Sequence, residues 1–293
     1  MSKVGFIGVG TMGAPMARNI AKGGHQVQAF DVNKQAVEDL RDAGITPAAG
    51  ARGAATGVDV FITMLPNSQH VEEAAFGKEG FADALSKDAL YIDMSTIAPA
   101  MTDSIAARMA KRGIAMVDAP VGRQQSHAVA GKLLIMVGGA DANVARARPI
   151  LSLMGDTIVH CGPVGMGARM KVVNNYMSIA LNVLSAEALI LAERSGLDPN
   201  LAREVMLGTA AGQGHFGSTY PAKVLKGDLT PGFMVDLAYK DLGLALDLAR
   251  DIGAPVATGL AAREVYDRAR AQDRGRQDWT AVYAMLREAG KTA

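Results

Sequence analysis

The chain has 293 residues, 49% of them hydrophobic and 20% charged, which is the make-up of a globular enzyme with a sizeable core. Thirty basic side chains balance 29 acidic ones, for a formal net charge of +1. No charge excess favours nucleic acid or an anionic membrane, and the one cysteine, Cys161, excludes an intrachain disulfide. With no secretory leader in view ahead of the apolar run at Val4, the expected location is the cytoplasm.

Short apolar runs alternate with helical periodicity through the first half. The runs are Val4–Val9, Val27–Phe30, Val58–Leu65, Leu90–Met94, Ile114–Asp118 and Lys132–Val137. Between them, helices are predicted over Met12–Gly23, Lys34–Ala43, Ser68–Phe76 and Pro99–Arg112. This order predicts βαβ units in a doubly wound parallel sheet, an α/β Rossmann-type domain whose ligands sit at the C-terminal ends of the strands. Beyond Pro163 the pattern holds no clear strand. Met166–Ser195 reads as one helix about 45 Å long at 1.5 Å per residue. Helical segments follow at Pro199–Leu207, Pro221–Lys226, Met234–Ile252, Pro255–Gln272 and Thr280–Arg287. The expected division is therefore a dinucleotide-binding domain over 1–163 and an all-α domain over 164–293, joined by the long helix. That helix carries Asn174, Asn175, Asn182 and Glu187 in its apolar stretch, which argues for burial between domains and against a membrane span.

Gly8-Val9-Gly10-Thr11-Met12-Gly13 is a G-x-G-x-x-G sequence that follows a strand and opens a helix. In that setting its glycines permit a tight turn, and the helix N-terminus offers free N–H groups to a pyrophosphate. Asp31 ends the second run, where a carboxylate accepts ribose hydroxyls and repels a 2′-phosphate, so NAD is expected over NADP. Leu65-Pro66 and Ser95-Thr96 close later runs, where loops cover a bound dinucleotide.

Lys171, Asn174, Asn175 and Ser178 stand at i, i+3, i+4 and i+7 on the long helix, hence on one face. The rest of the perimeter is apolar, and an unpaired buried polar group costs roughly 1–3 kcal/mol, so the stripe faces either a substrate cleft or polar groups of other helices. A lysine there suits hydride chemistry: it protonates the oxygen of a reduced aldehyde, or takes the proton from an alcohol.

Val4–Gly13, Asp118-Ala119-Pro120-Val121, Gly165-Met166-Gly167, and Lys171 with Asn174-Asn175 together resemble the β-hydroxyacid dehydrogenases. Phe233 and Lys240-Asp241-Leu242 extend the similarity over essentially the whole chain. The resemblance implies Lys171 as the catalytic residue and a homodimer or homotetramer. It also implies Thr11, Met12, Asp31, Leu65, Thr96, Phe233 and Lys240 beside the dinucleotide. Most members continue the Asp-Ala-Pro-Val stretch with Ser-Gly-Gly; this chain has Gly122-Arg123-Gln124. That variant resembles the branch of the family acting on 3-sulfolactaldehyde, in which the arginine, the helix asparagines and the serine matching Ser178 hold the substrate. A forked guanidinium suits a sulfonate, and it also suits a carboxylate, so 3-hydroxyisobutyrate, tartronate semialdehyde and succinic semialdehyde stay open. An imine reductase and a non-catalytic NAD sensor are the remaining alternatives. Lys171 argues against the first, and turnover would exclude the second. The histidines have no metal-ligand spacing, and no metal is expected.

Overall fold

The computed structural model describes residues 1–289. Two compact units make it up, Met1–Tyr176 and a second that starts at Met177. In the first, nine strands form one sheet: β1 Lys3–Ile7, β2 Gln26–Phe30, β3 Thr46–Pro47, β4 Val60–Thr63, β5 Leu90–Asp93, β6 Ala115–Asp118, β7 Val121–Gly122, β8 Leu133–Gly138 and β9 Gly155–Gly162. Their order is β3-β2-β1-β4-β5-β6-β8-β7, with β9 also paired to β8. The helices of this unit are α1 Gly13–Lys22, α2 Lys34–Glu38, α3 Ala51–Ala55, α4 Ser68–Phe76, α5 Pro99–Ala110, α6 Gln125–Val129, α7 Asp141–Leu151 and the start of α8, Met166–Arg194.

The central strands are apolar along their length because both sheet faces are covered. Successive residues alternate between the faces. Phe6, Ile62 and Ile92 enter one apolar cluster with Met16 and Ile20 of α1. Their neighbours Ile7, Phe61 and Tyr91 enter the other, with Ile105 and Met109 of α5. The strand order reverses at β1, which has β2 on one side and β4 on the other, both parallel to it. A crevice opens at the C-terminal ends of strands at such a reversal.

The sheet is less uniform than expected. β8 runs antiparallel to β6 and β7 and parallel to β9. The periodic stretch Lys34–Ala43 is two pieces, α2 and a 3₁₀ turn over Arg41–Ala43 that ends at Gly44 with φ 75°. β9 lies just ahead of the expected 163/164 boundary, in a stretch where no strand was predicted; it is a half-exposed strand without strict alternation.

The second unit is helical, with α9 Pro199–Leu207, α10 Ala210–Gln213, α11 Thr219–Ala222, α12 Val235–Asp251, α13 Ala257–Ala271 and α14 Ala281–Ala289. Pro221–Lys226 is not one helix: α11 ends at Ala222, and a 3₁₀ turn covers Val224–Lys226. Val235, Ala269, Ala281 and Met285 form its buried centre.

The long helix departs most from expectation. Instead of being buried, α8 exposes Val173 at 61%, Tyr176 at 77% and Ile179 at 65%. An apolar perimeter demands shelter from water, but it does not say that the same chain provides it. By length and composition α8 is, among the described residues, the one helix that could span a bilayer. Within the helical unit, however, its Glu187 carboxylate accepts the Thr258 N–H at 2.9 Å, at the start of α13.

Candidate functional site

The turn between β1 and α1 is built by glycines with separate tasks. Gly8 has φ 90°, and a Cβ there would lie 2.2 Å from the Met64 carbonyl oxygen. A Cβ on Gly13 would lie 1.8 Å from the Gly8 carbonyl oxygen, so the helix can begin against the turn only with glycine. A Cβ on Gly10 would meet nothing within 4 Å, which leaves backbone facing open space. The first turn of α1 has no acidic residue, and no side chain caps it. Among the described residues the N–H groups of Gly10, Thr11 and Met12 have no hydrogen-bond partner. Open space over a glycine, unpaired donors and a helix dipole fit a dinucleotide pyrophosphate. Asp31 is fixed beside this turn: one carboxylate oxygen accepts the Val9 N–H at 2.9 Å and the other the Asn33 N–H at 2.8 Å. Each oxygen keeps a lone pair for a ribose hydroxyl.

The loops after β4 and β5 are tied together. Leu65 donates its N–H to Ser95 Oγ at 2.9 Å. Ser95 N–H in turn donates to Asp93 Oδ1 at 3.0 Å, and the Thr63 hydroxyl donates to the same oxygen at 2.9 Å. The Tyr91 hydroxyl closes the chain on Thr63 Oγ1 at 2.9 Å. Leu65 is half-buried above this network, while Pro66 and Thr96 lie exposed at the loop ends.

α8 starts on a second buried carboxylate. Asp118, at the end of β6, accepts the Gly165 N–H at 2.6 Å and the Ala168 N–H at 2.7 Å, one on each oxygen. Glycines make the room, since a Cβ on Gly138 would lie 2.4 Å from Asp118 Oδ1. Burial pushes the Asp118 carboxyl up, against the pull of those N–H bonds. One turn further along stands Lys171, half-buried, its ammonium pKa pushed down by desolvation. Among the described residues no carboxylate lies within ion-pair distance of it. Asn174 and Asn175 follow on the same helix, joined to each other at 3.4 Å. Ser178 lies exposed on the continuation of the helix in the second unit.

Gly122 ends β7, and Arg123 follows in the left-handed region with φ 75°. Its guanidinium is bound by its own unit: Nη1 donates to the Lys132 carbonyl at 2.5 Å and to Asp156 Oδ1 at 2.6 Å, and Nη2 donates to Thr157 Oγ1 at 3.2 Å.

Two family models match this chain: the NAD-binding domain of 6-phosphogluconate dehydrogenase over residues 3–162, and the NAD-binding domain of NADP-dependent 3-hydroxyisobutyrate dehydrogenase over 165–286. The 3-sulfolactaldehyde reductase of Escherichia coli K12 is 52% identical over 294 aligned residues, covering 100% of this chain and 99% of that one. The chain belongs to the 3-hydroxyisobutyrate dehydrogenase family. It is accordingly an NAD(H)-binding oxidoreductase that acts on a CH–OH or aldehyde group of a small molecule. The NAD-dependent L-serine dehydrogenase of Pseudomonas aeruginosa is 37% identical, with 98% of both chains covered. Among solved structures, Mycobacterium tuberculosis 3-hydroxyisobutyrate dehydrogenase with L-serine matches at TM-score 0.69 and 34% identity, covering 98% of this chain and 99% of that one. An imine reductase from Myxococcus stipitatus matches at TM-score 0.90 but 16% identity, covering 98% and 99%, and shares the fold alone.

Two positions that the family resemblance assigned to the dinucleotide lie in the helical unit. Phe233 is held by Asp278, whose Oδ2 accepts the Gly232 N–H at 2.8 Å and the Phe233 N–H at 3.4 Å. Burial opposes the Asp278 charge, but bonds from Thr280, Gly232 and Phe233 outweigh it and hold its carboxyl low. The Phe233 ring meets Trp279 edge-on at 5.5 Å. Lys240 is exposed and pairs with Asp241 at 2.9 Å.

Sequence reasoning gave no role to Asp93 or Asp278, and quoted Asp118 only as part of a motif. An acid closing an apolar run was the available signal for Asp93 and Asp118; Asp278 had none. For this family member Asp93 sets a pH dependence. Burial raises its carboxyl to about 6, against roughly 3.9 in an unfolded chain. Between those values the folded state binds more protons, so stability falls as pH rises from about 4 to beyond 6. The loss amounts to about 3 kcal/mol for two pH units. Urea denaturation at stepped pH is expected to show this slope in wild type and a flatter one in Asp93→Asn; equal slopes would show that Asp93 is not its source.

Proposed function

We propose that the chain reduces 3-sulfolactaldehyde to 2,3-dihydroxypropane-1-sulfonate, using NADH. Arg123 carries this reading: a guanidinium follows the Asp-Ala-Pro-Val stretch, in a chain 52% identical to a protein named for that reaction. We read residues 1–163 as the dinucleotide-binding domain and 164–293 as the substrate and assembly domain. Gly8, Gly10, Thr11, Met12 and Gly13 hold the pyrophosphate, Leu65, Pro66 and Thr96 cover the dinucleotide, and Phe233 and Lys240 complete its contacts. Asp31 selects NADH, because its fixed carboxylate accepts ribose hydroxyls and repels a 2′-phosphate.

A dinucleotide held by these residues would supply a hydride for the aldehyde carbon. Lys171 gives its Nζ proton to the carbonyl oxygen as charge builds there, and takes another from solvent. Its position away from carboxylates leaves the ammonium charge for that oxygen. Asn174, Asn175 and Ser178 bind substrate oxygens, and Arg123 with Gly122 binds the sulfonate. Exposed apolar side chains on α8 support assembly as a homodimer or homotetramer. The lone cysteine and the absence of any charge excess suit a cytoplasmic enzyme.

The test is a substrate panel with NADH and NADPH. Losing a charge-assisted bond worth roughly 1.5–3 kcal/mol raises KM by about 10- to 150-fold, and that is the expected effect of Arg123→Ala on 3-sulfolactaldehyde. If tartronate or succinic semialdehyde turns over as well as 3-sulfolactaldehyde, the sulfonate assignment fails.

A further inference from the structure

Two local irregularities meet at Arg123. The first is its own backbone, since φ 75° on a non-glycine residue is a strained conformation that persists only where its surroundings enforce it. The second is in β9. Leu133 of β8 pairs with Gly155, but Leu134 pairs with Thr157, so Asp156 is an extra residue in the strand. Such a bulge re-aims a side chain. Glycine precedes it of necessity, because a Cβ on Gly155 would lie 2.5 Å from the Leu133 carbonyl oxygen.

The donors of the guanidinium can be accounted for one by one. Of its five N–H bonds, Nη1 spends two, on the Lys132 carbonyl and Asp156 Oδ1, and Nη2 spends one, on Thr157 Oγ1. The Thr157 hydroxyl donates to Asp156 Oδ1 at 2.8 Å, which locks the acceptor in turn. Among the described residues Nε and the second Nη2 hydrogen have no partner. Those two donors share one edge of the guanidinium, and that edge is the fork that binds an oxyanion in bidentate fashion. The Arg123 and Asp156 side chains are 34% and 46% exposed, and a pair so exposed adds little stability.

We propose that Asp156, with Thr157 Oγ1 and the Lys132 carbonyl, is a positioning residue that holds the Arg123 guanidinium with its Nε/Nη2 edge turned to the anionic group of the substrate. This rests on the substrate role given to Arg123 above. The Asp156 carboxyl stays ionised at working pH, held low by the Thr157 hydroxyl and then by Arg123. Because the bound edge of the guanidinium differs from the free one, the ion pair and substrate binding do not compete for the same donors.

Steady-state kinetics of the intact enzyme with NADH separate positioning from simple charge compensation. Two substrates are compared: 3-sulfolactaldehyde, and glyceraldehyde, which carries a hydroxyl in place of the sulfonate. Releasing one long side chain weakens binding by a few-fold to about tenfold. Asp156→Ala is therefore expected to raise KM for 3-sulfolactaldehyde by roughly that factor, with kcat nearly unchanged and glyceraldehyde kinetics unaltered. Asp156→Asn keeps an acceptor oxygen and recovers most of the loss. Adding Asp156→Ala to Arg123→Ala raises KM no further. A lower or unchanged KM in Asp156→Ala, or additive effects in the double variant, overturns the positioning role while leaving Arg123 as a ligand. An unchanged KM in Arg123→Ala overturns the substrate role of Arg123 and the positioning role with it.

Discussion

Lys171→Ala is expected to slow aldehyde reduction by about 10²- to 10⁴-fold, the range for losing a general acid. The affinity for NADH, followed by fluorescence titration, is expected to stay within about twofold, because the glycine turn and Asp31 lie on other elements. The size of the effect follows from the setting of the lysine. Lys171 stands on α8 a turn beyond the residues that Asp118 anchors, half-buried and unpaired by any described carboxylate. Partial burial brings its pKa below that of free lysine, so a proton is released more readily to the developing alkoxide. With Lys171 as the proposed acid, reduction needs its protonated form, so the wild-type rate is expected to decline as pH rises through this lowered pKa. That alkaline limb is expected to vanish in the variant. An unchanged rate in Lys171→Ala would remove the lysine from the chemistry.

Asp118→Ala is expected to destabilise the first unit by about 2–6 kcal/mol, read from urea denaturation. The carboxylate is the acceptor for two backbone N–H groups, those of Gly165 and Ala168. Leaving each without a partner in a buried site costs roughly 1–3 kcal/mol. Against this, the raised carboxyl of Asp118 shows that its charge is itself held at an expense. Distance decides the balance: two bonds of 2.6 and 2.7 Å fix one side chain, and no other residue bonds those amides. A variant as stable as wild type would mean that the start of α8 finds other acceptors.

The parallel core of the sheet was legible because helices on both faces make each inner strand a continuous apolar run. Gly8–Gly13 and Asp31 were legible because the turn chemistry admits few alternatives. The misses have different causes. β3 is two residues long, and β9 hides its period behind a bulge at Asp156. Lys34–Ala43 keeps helical spacing through a break that its local residues do not announce. Arg123 was visible as a departure, but its partner Asp156 lies 33 positions away, and only the pairing of β7, β8 and β9 brings the two together. The network around Asp93 joins the ends of β4 and β5, and spacing along one strand says nothing about such a link. For α8 the periodicity marks an apolar perimeter that needs cover but does not say what supplies it, and Val173, Tyr176 and Ile179 stand exposed.

That helix has a consequence for every stability measured on this protein. Val173, Tyr176 and Ile179 face water in the isolated chain, and association that covers them adds free energy that depends on mass action. Under the proposed assembly, the melting temperature is expected to rise with protein concentration, and a melting temperature independent of concentration would count against association through this face. Substitutions on this face are then expected to shift that association equilibrium before they change the fold.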